Sequence, residues 1–167
     1  MIKKLVEASN LDNLLTLRNV CIFLLAKFAG FLRIEEVLHI KYGDITFHDT
    51  YVAIKVDRSK IDQLRKGNEV VLSRSSSHDA CPVSIFKRYV SELERSPVEP
   101  SHYVFKPLTK SKLGHKFVST NKPASYSTVR EYLNSTFKDI VSDIAAFSIH
   151  SLRAGGDSAG KMEDCLS

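Results

Sequence analysis

Leu11, Leu14, Leu15, Val20, Phe23, Leu24 and Phe28 recur at close to helical spacing, and the pattern breaks at Gly30. The spacing predicts a helix from about Asn10 to Ala29, with Asn10 placed to cap its start. A second, short helix is expected from Arg33 to Ile40, followed by a turn at Gly43-Asp44. The period then changes. Val52, Ile54 and Val56 alternate with Tyr51, Ala53 and Lys55, the two-residue repeat of a half-buried strand. Glu69 to Leu72 reads as its partner and Asp44 to Phe47 as a short strand in front, so a three-stranded antiparallel sheet is expected. The link between the two longer strands, Asp57 to Asn68, is polar and contains Gly67.

Pro82 suits the first turn of a helix, where its missing N–H costs nothing. Val83, Phe86, Val90 and Leu93 make that helix's buried stripe, which stops before Pro97 and Pro100. Lys106 to Pro123 reads as a basic loop. Thr128-x-x-Glu131 resembles a capping box, and Val129, Leu133, Thr136, Phe137 and Ile140 give the helix behind it an apolar face. A last helix is expected to begin at Ile144 or Ser148, include Arg153 and end at Gly155-Gly156. There is no internal repeat and no low-complexity tract. The expectation is one α+β domain, mainly helical, with a small sheet.

Composition narrows the function classes. The chain has 167 residues, 43% of them hydrophobic and 26% charged, enough for one domain with its own core. No run of 18 apolar residues is present; the nearest approach, Leu11 to Phe31, is broken by Asp12, Asn13, Arg18, Asn19 and Lys27, so no membrane span or membrane partner is expected. Met1 to Asn10 lacks the pattern of a signal peptide. Cys21, Cys81 and Cys165 are odd in number, far apart and without CxxC spacing, which argues against a disulfide framework or a zinc site and for a reducing, intracellular setting. No metal or other cofactor is expected. The net charge of +5 permits a polyanionic partner without requiring one.

The sharpest local feature is His150-Ser151-Leu152-Arg153. Spacing of i and i+3 puts His150 and Arg153 on one helix face. A guanidinium binds two phosphate oxygens through its planar fork, and the imidazole beside it can donate a hydrogen bond or move a proton. Taken alone, the pattern equally describes an exposed helix face carrying two polar residues.

Other segments point the same way. Gly30-Phe31-Leu32-Arg33-Ile34-Glu35-Glu36-Val37-Leu38, with Asp44 beyond it, resembles the first-arginine motif of the tyrosine recombinases, the phage-integrase family. Lys60 lies between the two longer strands, where that family places its catalytic lysine. Cys81-Pro82-Val83 and Tyr103-Val104-Phe105 are similar to segments of its eukaryotic mobile-element members, and Phe147 to Gly156 is close to its second-arginine motif. The order Arg, Lys, HxxR gives the likeness its specificity, and it extends over about Leu11 to Gly156.

The resemblance implies an α+β tyrosine-recombinase catalytic domain in residues 1–156, followed by a divergent tail, 157–167. It implies double-stranded DNA as partner and DNA breakage and rejoining through a phosphotyrosine. Arg33 and Arg153 would clamp the phosphate and neutralise its transition-state charge, with Lys60 as general acid and His150 assisting proton movement. Glu36 would hold an arginine or a helix end. Local alternatives stand beside these roles: Lys60 shares a charged turn with Arg58, Arg65 and Lys66 and fits nearly as well as a solvated lysine, and Arg33 would serve as a surface residue paired with Glu36. Arg58, Arg65, Lys66, Lys110, Lys112 and Lys116 are candidate contacts to the DNA backbone, or simply solvated. In a eukaryote, the expected location is the nucleus.

The family's nucleophilic tyrosine lies downstream of HxxR. The six tyrosines here, Tyr42, Tyr51, Tyr89, Tyr103, Tyr126 and Tyr132, all precede His150 and read as packing residues. The expectation is therefore a domain cut short before its nucleophile, without the family's N-terminal DNA clamp, and inactive by itself. A homo-oligomer or a full-length recombinase would be its partner. The competing expectation is a domesticated, non-enzymatic module that binds a protein or chromatin through surface left open by the missing helices.

Overall fold

The central element is helix α1, Leu14–Phe28. In the computed structural model, which describes residues 6–7, 9–28, 32–56, 69–76 and 81–140, every side chain from Leu17 to Lys27 is buried. A helix covered on all sides is the middle of a bundle rather than a surface helix with one apolar stripe. It packs against α2 (Ile34–Leu38), α3 (Pro82–Leu93), α4 (Tyr126–Ile140) and one strand of a hairpin described below. Its cap is Asn13, not Asn10. The Asn13 Oδ1 accepts the N–H groups of Leu15 (3.0 Å) and Thr16 (3.4 Å), the second and third residues of the helix. The Asn10 side chain closes an earlier turn by accepting the Asp12 N–H at 3.1 Å.

The three-stranded sheet has the expected order and direction. β1 (Ile45–Phe47), β2 (Tyr51–Lys55) and β3 (Glu69–Ser73) run antiparallel, β2 in the centre. Val52 stands opposite Phe47 and Leu72, and Ile54 opposite Ile45 and Val70. The alternation sends Val52, Ile54 and Leu72 into the core, while Val71 on the other face is exposed.

Helix α3 begins at Pro82, as its sequence indicates, and buries Val83, Phe86, Val90 and Leu93 together with Ile85 and Tyr89. Tyr89 is the hub of an aromatic cluster. Its ring stacks on Phe105 at 5.3 Å and meets the edge of Phe117 at 5.9 Å. Its hydroxyl donates to the Val104 carbonyl at 2.7 Å, which satisfies the polar end of a fully buried ring. Burial raises its pKa well above the ordinary tyrosine value. Burial likewise pushes the Cys21 thiol up, leaving it a small apolar core residue.

Two expectations fail in the region after α3. Lys106 to Pro123 is not simply a loop, because it contains a two-stranded antiparallel hairpin of β4 (Leu108–Ser111) and β5 (Gly114–Phe117). Main-chain pairing and the seating of Phe117 on Tyr89 hold a ribbon that has almost no apolar alternation of its own. Gly114 leaves the turn at φ 123°, a conformation that side-chain-bearing residues avoid. The second failure is the capping box. Helix α4 starts at Tyr126, so Thr128 is already inside it; the first turn closes with the Val129 N–H on the Ser125 carbonyl at 3.0 Å. Val129 and Leu133 are buried as expected. The helix expected around Ser148–Arg153 and the tail 157–167 lie outside the described residues.

A backbone clasp joins the end of α2 to the segment before the hairpin. Tyr42 N–H donates to the His102 carbonyl (2.8 Å), Gly43 N–H to Pro100 (2.9 Å), and Val104 N–H to Ile40 (3.0 Å). Gly43 is required here by close approach: a Cβ at that position would sit 2.8 Å from the Pro100 Cβ and 3.1 Å from its carbonyl oxygen. Gly43→Ala should therefore force the clasp apart and cost about 1–3 kcal/mol. Chemical denaturation checks this, as a lower midpoint at unchanged slope.

Candidate nucleic-acid interface

Arg33 sits where an extended segment turns into α2, with φ −74° and ψ 151°. Its neighbours Leu32 and Ile34 are buried, and Val37 and Leu38 anchor the helix from the same side. With both flanks held inward, the Arg33 side chain is left outward and exposed. Its backbone N–H donates to the Glu36 Oε2 at 2.7 Å. Glu36 thus holds the helix end, one of the two roles expected of it. The surface pairing of Arg33 with Glu36 is not what forms: the carboxylate engages the main chain, and among the described residues no hydrogen bond or ion pair engages the Arg33 guanidinium. A cation on a fixed backbone with its donors free is suited to receive an external anion.

Lys60, His150 and Arg153 lie outside the described residues, as do Arg58, Arg65 and Lys66. Of the other candidate backbone contacts, Lys110, Lys112 and Lys116 are all exposed on the β4–β5 hairpin. Lys110 stands opposite His115, and Lys116 opposite Thr109. Directly opposed residues share a face and neighbouring pairs alternate, so Lys110 and Lys116 occupy opposite faces of the ribbon, with Lys112 in the turn between them. Lys106 is different again: it is 9% exposed and belongs to the packed base of the hairpin rather than to a basic surface run.

Sequence reasoning treated Arg18 only as an interruption of an apolar stretch. It is 3% exposed, in the middle of α1, and its Nη1 donates to the Lys106 carbonyl at 2.9 Å. Its Nε donates to the Asn19 Oδ1 at 3.1 Å. Burial pulls its pKa below the ordinary arginine value, while Tyr89 and Tyr132 act in the opposite direction. The available signal was a guanidinium at a position where the helical pattern demands an apolar residue. Among the described residues no group of His, Cys, Asp and Glu is arranged to hold a metal ion, and no helix is long and apolar enough to cross a membrane.

No protein-family profile matches the chain. It is 27% identical over 139 residues to an integrase/recombinase xerD homolog of Selenomonas ruminantium, a match that covers 82% of this chain and 38% of that protein. Among solved structures it is similar to the XerH site-specific recombinase bound to difH substrate in a pre-cleavage complex. That likeness has a TM-score of 0.65 at 17% identity and covers 97% of this chain and 41% of XerH. The post-cleavage complex of XerH with palindromic difH gives 0.58 at 19% identity, covering 98% and 41%. The chain thus spans about two fifths of the length of the proteins it matches. Its helices and small antiparallel sheets have the fold of a tyrosine recombinase catalytic domain, as the sequence resemblance implied.

Proposed function

We propose that this chain is the phosphate-holding portion of a tyrosine recombinase or integrase, and that Arg33, Lys60, His150 and Arg153 gather on one phosphodiester of double-stranded DNA. The observation that carries this reading is Arg33: an exposed guanidinium without a partner among the described residues, on a main chain pinned by Glu36, in a fold shared with DNA-bound recombinases. Arg33 and Arg153 neutralise charge on the phosphate oxygens, Lys60 supplies a proton to the leaving sugar oxygen, and His150 assists. Arg58, Arg65, Lys66, Lys110, Lys112 and Lys116 hold the DNA backbone without reading its sequence.

The reaction class is DNA strand transfer. None of the six tyrosines in these 167 residues follows His150, where the resemblance places the family's nucleophile. Residues 1–156 act as the partial catalytic domain and 157–167 as a divergent tail. The likeness of Cys81-Pro82-Val83 and Tyr103-Val104-Phe105 to mobile-element members favours descent from a eukaryotic element, acting in the nucleus.

Fluorescence anisotropy on a short duplex tests the clamp. The double variant Arg33→Ala/Arg153→Ala should bind about tenfold or more weakly. Unchanged affinity would reject the clamp, and salt-insensitive binding to a protein partner without DNA affinity would favour the non-enzymatic module. The salt dependence tests the backbone contacts separately. Six such backbone contacts give a log–log slope of about −5.4, and removing Lys110, Lys112 and Lys116 together should flatten it by up to about 2.7. An unmoved slope would place the hairpin outside the interface.

A further inference from the structure

Arg18 is a buried cation without a carboxylate. Its partners, the Lys106 carbonyl and the Asn19 amide oxygen, are both neutral, and no acidic side chain among the described residues pairs with it. A guanidinium has five N–H donors, and these two bonds leave several of them over. Taking an ion out of water without a counter-charge is unfavourable, so such a site favours any anion that can reach it.

An anion can reach this one. Arg18 lines a cleft of about 590 Å³ formed by α1, the β4–β5 hairpin and the start of α4. Lys110, Lys122 and His115 bring further cationic or hydrogen-bonding groups to the same space, Ser125 and Thr128 bring hydroxyls, and among the described residues no aspartate or glutamate lines it. The Nδ1 of His115 is buried and has no hydrogen-bond partner among the described residues. The opposition of Lys110 and His115 in the hairpin explains why both reach one cleft while Lys116 does not. The 15-residue helix α4 opens at this cleft, and the positive end of its dipole adds to the same field. Leu15 and Leu108 give the cleft an apolar wall.

Three cations, hydroxyls and a ring nitrogen unpartnered among the described residues, around a space that no described acidic group lines, suit a multiply charged tetrahedral anion better than a single carboxylate. The apolar wall suits an organic body attached to it. We propose that this cleft is a second phosphate site, separate from Arg33, which takes one nucleotide phosphate against Arg18, Lys110 and Lys122 and lays the sugar or base along Leu15 and Leu108. The phosphate can belong to the DNA backbone or to a free nucleotide. Only the first source rests on the recombinase reading; the cleft itself does not.

The test is a titration of the full chain with deoxyadenosine monophosphate and with inorganic phosphate, followed by amide and arginine-side-chain NMR. Saturable shifts centred on Arg18, Lys110, His115, Lys122 and Ser125 are expected. Lys110→Ala/Lys122→Ala, at two exposed positions that leave the core intact, should weaken nucleotide binding about tenfold or more, whereas Lys87→Ala on the exposed face of α3 should not. Displacement of the nucleotide by duplex DNA identifies a backbone phosphate as occupant, and simultaneous binding identifies a free nucleotide. Absence of saturable shifts at the cleft, or equal affinity in the double variant, overturns the proposal even if duplex binding persists. Phosphate bound in the cleft of a chain that does not bind duplex DNA would keep the site and reject the recombinase interface instead.

Discussion

A helix enclosed on nearly every side leaves its polar side chains to be answered largely by their neighbours. That constraint shapes the centre of this molecule. Arg18 and Asn19 lie in the middle of α1, and Arg18 is answered by the carbonyl of Lys106, at the foot of the hairpin. One turn further along, Cys21 lies against the Ile85 carbonyl of α3 (3.7 Å), and Tyr89 of α3 reaches the Val104 carbonyl. The segment 104–106 is thus bound to two helices through its own main chain. Positioning of the hairpin, and hence of Lys110, Lys112 and Lys116, depends on these few bonds as much as on the seating of Phe117.

The parts of the fold that follow from burial on one face were legible in the sequence. Val52, Ile54 and Leu72 announce their sheet by alternation, and Pro82 with the stripe from Val83 to Leu93 fixes α3 nearly to the residue. What was missed has a different physical basis. The β4–β5 ribbon is stabilised by backbone pairing, so its strands, LTKS and GHKF, carry no apolar period to detect. Asn10 and Asn13 are the same residue type three positions apart, and only the helix register decides which one reaches the free N–H groups. Thr128 and Glu131 have capping-box spacing, but packing of Ala124 and Val129 starts the helix earlier.

The candidate site divides along the same line. Arg33 could be singled out because a glycine, apolar flanks and a glutamate three residues on form a local pattern; in the fold its main chain is fixed and its guanidinium exposed. Arg18 belongs to no such pattern. Its setting comes from residues about 90 positions away, which a reading of adjacent residues does not join. Lys110 and Lys116 look equivalent in the sequence and are separated by the pairing of the ribbon, one toward the α1 cleft and one away from it.

The fastening of residues 40–43 to 100–104 has a mechanical consequence. From Arg33 the path runs through the five residues of α2, across the clasp to Val104 and Phe105, and from the Phe105 carbonyl to the Ala124 N–H (2.8 Å) just ahead of α4. No step on that path is a long flexible side chain; each is helix, strand-like backbone or a short main-chain bond. The helix that begins beside Arg33 is therefore joined to the segment ahead of α4 without a slack connection. Gly43 is the tightest point beside that path, where any larger side chain would meet Pro100.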